Sequence, residues 1–452
     1  MTQARAAVAG LLCVGDEILL VRRNPEQPAF PGYWSCPGGK VERNEATPPP
    51  RAAYCGLDTL ALAALARELD EELGFDLHGA DCRVHLLGRA VTPHYAPRRF
   101  DTLFFRIDLA AKPALQLDAR EHAEMVWGRA ADFWQRFLDG QLLCVSPLQR
   151  LLATLTQDPQ ATCVPDLGER PGQAQGLDLT EPLHGLRMLP LRSHTLPPAT
   201  HTNAFLLGDA GTPQILVDPS PAGAEEYRRL GAFLDAFGAP QAVFLTHHHP
   251  DHHEQAPRLA RERGLPMWMS ADTEQRLRAR WGADYLRGIE VRQIADGDTL
   301  CTSLGRPVRA VAVPGHDAGH LAILPDGREW MIVGDLYQGV GTVVIARPEG
   351  NMRDYLASLE KVLALAPAAT VPSHGIALPG TLQIERTLAH RRERERAIEA
   401  LRQQGLDADA IVARLYQAVP KALWGLARMN VEAHLEKLAL DRAQKPDAEG
   451  MS

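Results

Sequence analysis

Leu245-Thr246-His247-His248-His249-Pro250-Asp251-His252-His253 decides how the second half of this chain folds. It follows Ala242-Val243-Phe244, an apolar run of the length and bulk of a buried strand. His247, His249, Asp251 and His252 therefore stand just past a strand end. Imidazole nitrogen and carboxylate oxygen suit zinc and its neighbours. Alternation lets His247 and His249 point to one side, while Asp251 and His252 reach a second ion beside the first. The plain alternative is a surface cluster of loop histidines. Against it stand Gly315-His316, Gly334-Asp335 and Ser373-His374. Each follows a β-like run: Val308 to Val313, Met331-Ile332-Val333, and Ala369 to Val371. Four strand ends, far apart in sequence, each deliver metal-binding groups.

This His-x-His-x-Asp-His motif with His316, Asp335 and His374 resembles the metallo-β-lactamase superfamily. So does Thr202-Asn203-Ala204-Phe205-Leu206-Leu207, followed by Val217-Asp218. The resemblance implies an αββα sandwich with two zinc ions, or other transition metals, along one edge. It assigns His247, His249 and His316 to the first metal, and Asp251, His252 and His374 to the second, with Asp335 bridging. Asp251 is also expected to take part in the chemistry. His248 and His253 are left as spacers or as groups supporting the ligands, and His320 as the maker of a structural hydrogen bond. Two adjacent divalent ions acidify a shared water enough to give hydroxide near neutral pH. Hydroxide can attack an ester, thioester, amide or phosphodiester, so the donor set points to hydrolysis without naming the bond.

A chain of 452 residues is too long for one ordinary core. Hydrophobic content of 45% and charged content of 23% are those of a soluble globular protein. No apolar run approaches membrane-spanning length. The apolar stretch Ala6 to Val14 meets Asp16 and Glu17 at once and resumes at Ile18, which predicts a hairpin rather than a secretory leader. Seven scattered cysteines without a CxxC predict reduced thiols in a cytoplasmic protein. A net charge of −8 argues against indiscriminate binding to nucleic acid or anionic membrane.

The first half carries a second chemistry. Asp58 is a plausible N-cap for a helix from Leu60 to Leu73. On it Glu68, Glu71 and Glu72 fall at i, i+3 and i+4 and share a face. Carboxylates so crowded repel unless a cation sits among them, and hard oxygen ligands suit Mg²⁺ or Mn²⁺ bridging to a diphosphate. Gly39, Glu45 and the run Arg67-Glu68-Leu69-Asp70-Glu71-Glu72-Leu73-Gly74-Phe75 resemble the Nudix box. One spacing departs from that pattern. Between Glu45 and Arg67 lies a loop-like insert with Pro48-Pro49-Pro50 and Tyr54-Cys55-Gly56, which puts the placement of Glu45 in question. The resemblance implies an α/β/α sandwich in which Glu68, Glu71 and Glu72 hold the metal, with Glu68 and Glu71 also catalytic. The interrupted box and Thr92-Pro93 with Pro97-Arg98-Arg99-Phe100-Asp101-Thr102 resemble the coenzyme A diphosphatase branch. Arg98 and Arg99 are then expected to contact phosphate, unless they merely flank a strand. Glu121 and Glu124 are expected as a solvated pair, with a base or metal contact as the alternative.

The expected organisation is a multidomain α/β chain. It comprises a Nudix domain over 1–155, a linker over 156–185 that is laid along a surface, a metallo-β-lactamase domain over 186–385, and a helical, winged-helix-like region over 386–452. His390-Arg391-Arg392 with Arg394 resembles the endoribonuclease-like branch of the superfamily, with the β-wing short or missing. From Arg386 onward 12 basic residues face 10 acidic ones, so a solvated helix explains them as well as an RNA surface does. The favoured reading is a bifunctional metal-dependent hydrolase of a nucleotide or coenzyme A-type small molecule. The Nudix half would cleave a diphosphate and the other half a thioester, ester or phosphodiester. A metal-dependent endoribonuclease with a nucleotide-binding Nudix module is the alternative, and a regulatory Nudix module without activity is a third.

Overall fold

In the strand Arg5–Val14, Val8 and Leu12 are buried to one side, and Ala9, Leu11 and Cys13 to the other. A strand buried on both faces lies between two layers, and this one organises the first half. It pairs antiparallel with Glu17–Arg23 and parallel with Phe100–Leu109. The sheet runs Trp34–Ser35, Glu17–Arg23, Arg5–Val14, Phe100–Leu109, Cys82–Val91, and His122–Arg129 also pairs with Glu17–Arg23. The computed structural model describes residues 3–45, 48–49, 51–96 and 98–444. Pro50 of the insert, Pro97 of the Pro-Arg-Arg run and residues 445–452 of the tail lie outside them.

The helix Thr59–Leu73 covers one face of this sheet with Leu62, Leu65, Leu69 and Leu73. Burying each such side chain contributes about 1.5–3 kcal/mol. Asp58 caps it by accepting the Ala61 amide at 2.7 Å, and Gly74 ends it in the left-handed conformation. The helices Ala130–Leu138 and Ser146–Gln157 cover the other face. The chain divides into two units, 1–190 and 191–452. Residues 156–185 belong to the first unit. Val164 and Leu167 are buried with Leu151 and Leu152, and Arg170 ties to Asp178 at 2.7 Å and to the Val91 carbonyl at 2.9 Å.

The second unit holds two sheets. One runs Val291–Gln293, Met267–Met269, Ala242–Phe244, Ile215–Val217, His201–Leu207. The other runs Thr299–Ser303, Arg306–Ala312, Leu321–Pro325, Met331–Gly334, Ala369–Pro372, Leu378–Pro379. Helices Gly223–Phe237, Ala256–Arg263, Ala271–Trp281 and Met352–Leu365 accompany them. The tail forms Leu382–Gln403, Ala408–Leu415 and Trp424–Gln444, and among its described residues there is no strand. A single short turn, Lys421–Leu423, leads into the long helix Trp424–Gln444. Among the described residues no helix is long and apolar enough to cross a membrane.

Candidate functional site

The strand Ala242–Phe244 is fully buried, and Leu245 continues it by bonding to the Trp268 carbonyl at 2.9 Å. The chain then turns on Asp218, which stands just past the neighbouring strand Ile215–Val217. Asp218 accepts the Thr246 amide at 2.8 Å, the Thr246 hydroxyl at 2.7 Å and His252 Nδ1 at 2.9 Å. One buried carboxylate thus fixes both ends of the histidine motif.

Seven predicted groups meet beyond these strand ends. His249 Nδ1 lies 3.0 Å from His247 Nε2 and 2.9 Å from His316 Nε2. His374 Nε2 lies 3.4 Å from Asp251 and, with His252, completes a second group. Asp335 stands between them. One of its oxygens is 3.7 Å from His316, and the other is 3.6 and 3.8 Å from His374 and His252. The outward nitrogens are committed elsewhere. His316 Nδ1 donates to the Val344 carbonyl at 3.0 Å and His374 Nδ1 to the His201 carbonyl at 2.9 Å. Holding the proton on Nδ1 leaves the Nε2 lone pair facing the centre.

These residues fit a pair of soft-to-borderline divalent ions. His252 Nε2, His374 Nε2 and Asp335 Oδ1 are buried and have no hydrogen-bond partner among the described residues. Such atoms are costly unless something binds them. Burial, helped by neighbouring imidazoles, holds His247 well below the usual imidazole range and His316 down to about 4, whereas against their burial Asp251 and Asp218 push His252 up to about 10 and Asp335 raises His374. Neutral imidazole is the form that ligates.

Supporting contacts that the sequence did not single out surround this centre. Glu349 lies 3.2 Å from His248 Nε2 and 3.6 Å from His249 Nε2, and its bond to His249 pulls it down to about 2. Asp317 holds His248 from the other side. His253 bonds Tyr285 at 2.7 Å and the His248 carbonyl at 2.8 Å. His320 overturns its expectation. Neither of its ring nitrogens has a hydrogen-bond partner among the described residues, and it packs beside His247 and under Gly334. A Cβ at residue 334 would lie 2.0 Å from its ring, so His320 acts by filling space.

In the first unit the insert does not displace Glu45. Arg67 bonds Glu45 at 3.0 and 3.2 Å, Glu68 at 3.0 Å and Glu71 at 2.9 Å. The cation expected among the carboxylates is thus partly the box's own arginine. Glu68 is pushed up to about 7, chiefly by burial, and packs so close to Gly39 that a Cβ there would meet it at 2.4 Å. Glu72 turns the other way. It accepts the Gly38 amide at 2.8 Å and lies 3.1 Å from His122. Glu72, Glu121 and His122 form a second candidate cation group, which Glu71 does not join. The expected solvated pair is therefore split, with Glu121 in this group and Glu124 paired to Arg22 at 3.0 Å. Arg98 is exposed. Arg99 lines a cavity of about 410 Å³ with Arg89, His94 and Arg170.

Fold and sites together define a two-unit hydrolase with two separate clusters of metal-binding groups. Comparison with known proteins agrees. The NUDIX domain model matches residues 3–142, the metallo-beta-lactamase superfamily model residues 197–374, and the beta-lactamase associated winged helix domain model residues 408–443. A beta-lactamase-like protein 2 homolog of Drosophila melanogaster is 29% identical over 252 residues, which are 52% of this chain and 82% of that protein. An atrochrysone carboxyl ACP thioesterase of Aspergillus fumigatus is 28% identical over 200 residues, 44% of this chain and 58% of that one. A beta-lactamase domain protein from Burkholderia ambifaria, of known structure, covers 59% of this chain and 88% of its own, with 24% identity and a TM-score of 0.49. The chain is a fusion of a NUDIX domain with a metallo-beta-lactamase superfamily domain and its associated winged helix domain. Both hydrolase families are metal-dependent.

Proposed function

We propose that this protein hydrolyses two bonds of one class of substrate, an acyl thioester of coenzyme A type. The metallo-beta-lactamase half opens the thioester and the Nudix half cleaves the diphosphate. The observation that carries this is the presence of two donor sets of different softness. One is rich in imidazole around Asp335, and the other is a carboxylate set around Arg67, Glu72 and His122. Bound zinc-type ions in the first and Mg²⁺ or Mn²⁺ in the second would supply Lewis acidity and an acidified water. The chain's own part is to orient donors. Asp218, Val344 and His201 fix three imidazoles, and Asp335 faces both groups. Asp251 lies between His252 and His374 at the exposed side of the centre, where it can also take a proton. In the Nudix half, Arg67 holds Glu68 and Glu71 in register, and Glu68, with its raised pKa, is suited to general-base work. Arg99 and Arg98 are the proposed phosphate contacts. The thioesterase named among the relatives supports the choice of thioester over other esters.

The test is full-length protein with Zn²⁺ and Mg²⁺ acting on an acyl-coenzyme A, followed by mass spectrometry. We expect Glu72→Gln to lose only the 3′,5′-ADP product and Asp335→Ala to lose only thioester cleavage. Unchanged substrate with the wild-type protein overturns the choice of substrate. A ribonuclease that grips RNA through Arg391, Arg392 and Arg394 has less support. Arg391 is buried, Arg392 pairs with Glu360, and Arg394 bonds the Leu415 carbonyl at 3.1 Å.

A further inference from the structure

Arg391 and Asn430 are both about 95% buried, yet neither belongs to the metal cluster. They stand on two different tail helices, Leu382–Gln403 and Trp424–Gln444, and they meet over one short stretch of the catalytic domain. Arg391 Nη2 donates to the Val343 carbonyl at 2.6 Å. Asn430 Oδ1 accepts the Ile345 amide at 3.0 Å and Arg391 Nη1 at 3.1 Å. The residue between these two clamps is Val344, whose carbonyl accepts His316 Nδ1 at 3.0 Å. The Val343 carbonyl and the Ile345 amide thus face the tail, while the Val344 carbonyl between them faces His316.

Two further ties act on the same segment. Arg347 pairs with Glu436, and Arg353 bonds Asp441 at 2.7 Å. Glu349, the carboxylate beside His248 and His249, lies between them. Val343 and Ile345 are also buried in one apolar cluster with Ile384, Leu388 and Ala433 of the tail. From this we propose that the C-terminal helices are a positioning element of the metal centre, with Arg391 and Asn430 acting through Val344 to set the His316 imidazole. The inference rests on reading His316 as a metal ligand. It gives the tail a part in the site that requires no nucleic acid.

Cobalt(II), added to metal-free full-length protein, reports the geometry of each site through its visible spectrum. Groups that orient a ligand are worth about 10–100-fold in metal affinity. Asn430→Ala should weaken cobalt binding by that factor and alter the band of the His247–His249–His316 site, with the far-ultraviolet circular dichroism unchanged. Asn430→Asp keeps an acceptor for both donors and should restore wild-type binding. Arg391→Lys keeps the charge but not the fork and should weaken binding as Asn430→Ala does. Arg392→Gln, exposed on the same helix, should change nothing. If Asn430→Ala does not fold, Arg391→Lys decides. Folded Asn430→Ala or Arg391→Lys with wild-type cobalt affinity and spectrum would overturn the proposal. Wild-type protein that takes up no cobalt would overturn the reading of His316 itself, and this inference with it.

Discussion

A ligand histidine is defined as much by its second nitrogen as by its first. His316 bonds the Val344 carbonyl, His374 the His201 carbonyl and His252 the Asp218 carboxylate, so three rings are oriented by groups outside the candidate metal cluster. The backbone in front of His316 is constrained as tightly. Gly315 has φ +129°, and a Cβ there would lie 2.1 Å from the Tyr355 amide. Gly315→Ala should therefore combine backbone strain with overpacking and cost about 2–4 kcal/mol. This is measurable as a lower urea midpoint for the second unit with an unchanged slope. A change below about 0.5 kcal/mol, the ordinary surface range, would mean that the close approach is not rigid. Sequence exposed the candidate ligands because histidine and aspartate after apolar runs are rare and type-specific. It could not expose Val344 or His201, because a carbonyl contact leaves no mark on residue type. Glu349 reads like any surface glutamate.

Strand and helix positions followed from alternation, apolar runs and the Asp58 cap, and the helix Thr59–Leu73 differs from its expected start by one residue. The insert between Glu45 and that helix did not follow, because its contacts are distant in sequence. Arg51 bonds the Leu77, His78 and Ala80 carbonyls at 2.7–3.2 Å, and Tyr54 bonds His78 at 2.9 Å. The insert is thus docked beyond the C-terminal end of the helix, while Glu45 returns to Arg67. Charged donors contribute about 1.5–3 kcal/mol each to such contacts. Arg51→Ala should release the insert and speed its cleavage by chymotrypsin at the buried Tyr54 several-fold, with Nudix activity retained. An unchanged cleavage rate would show that the docking does not depend on Arg51.

Taken whole, the chain joins two units, each with its own core and its own polar cluster, and the tail helices contribute to the second core. Buried Arg391 and the tail's Ile384, Leu388 and Ala433 tie the tail helices into the second unit. Four strand ends bring together groups that could hold two metals. Crystals of the full chain grown with zinc, with data collected at the zinc edge, test it directly. We expect two anomalous peaks, one within His247, His249 and His316 and one within Asp251, His252 and His374, with Asp335 between them. Asp335→Ala should lose at least one peak. No peak in either group, or zinc bound only elsewhere, would contradict it.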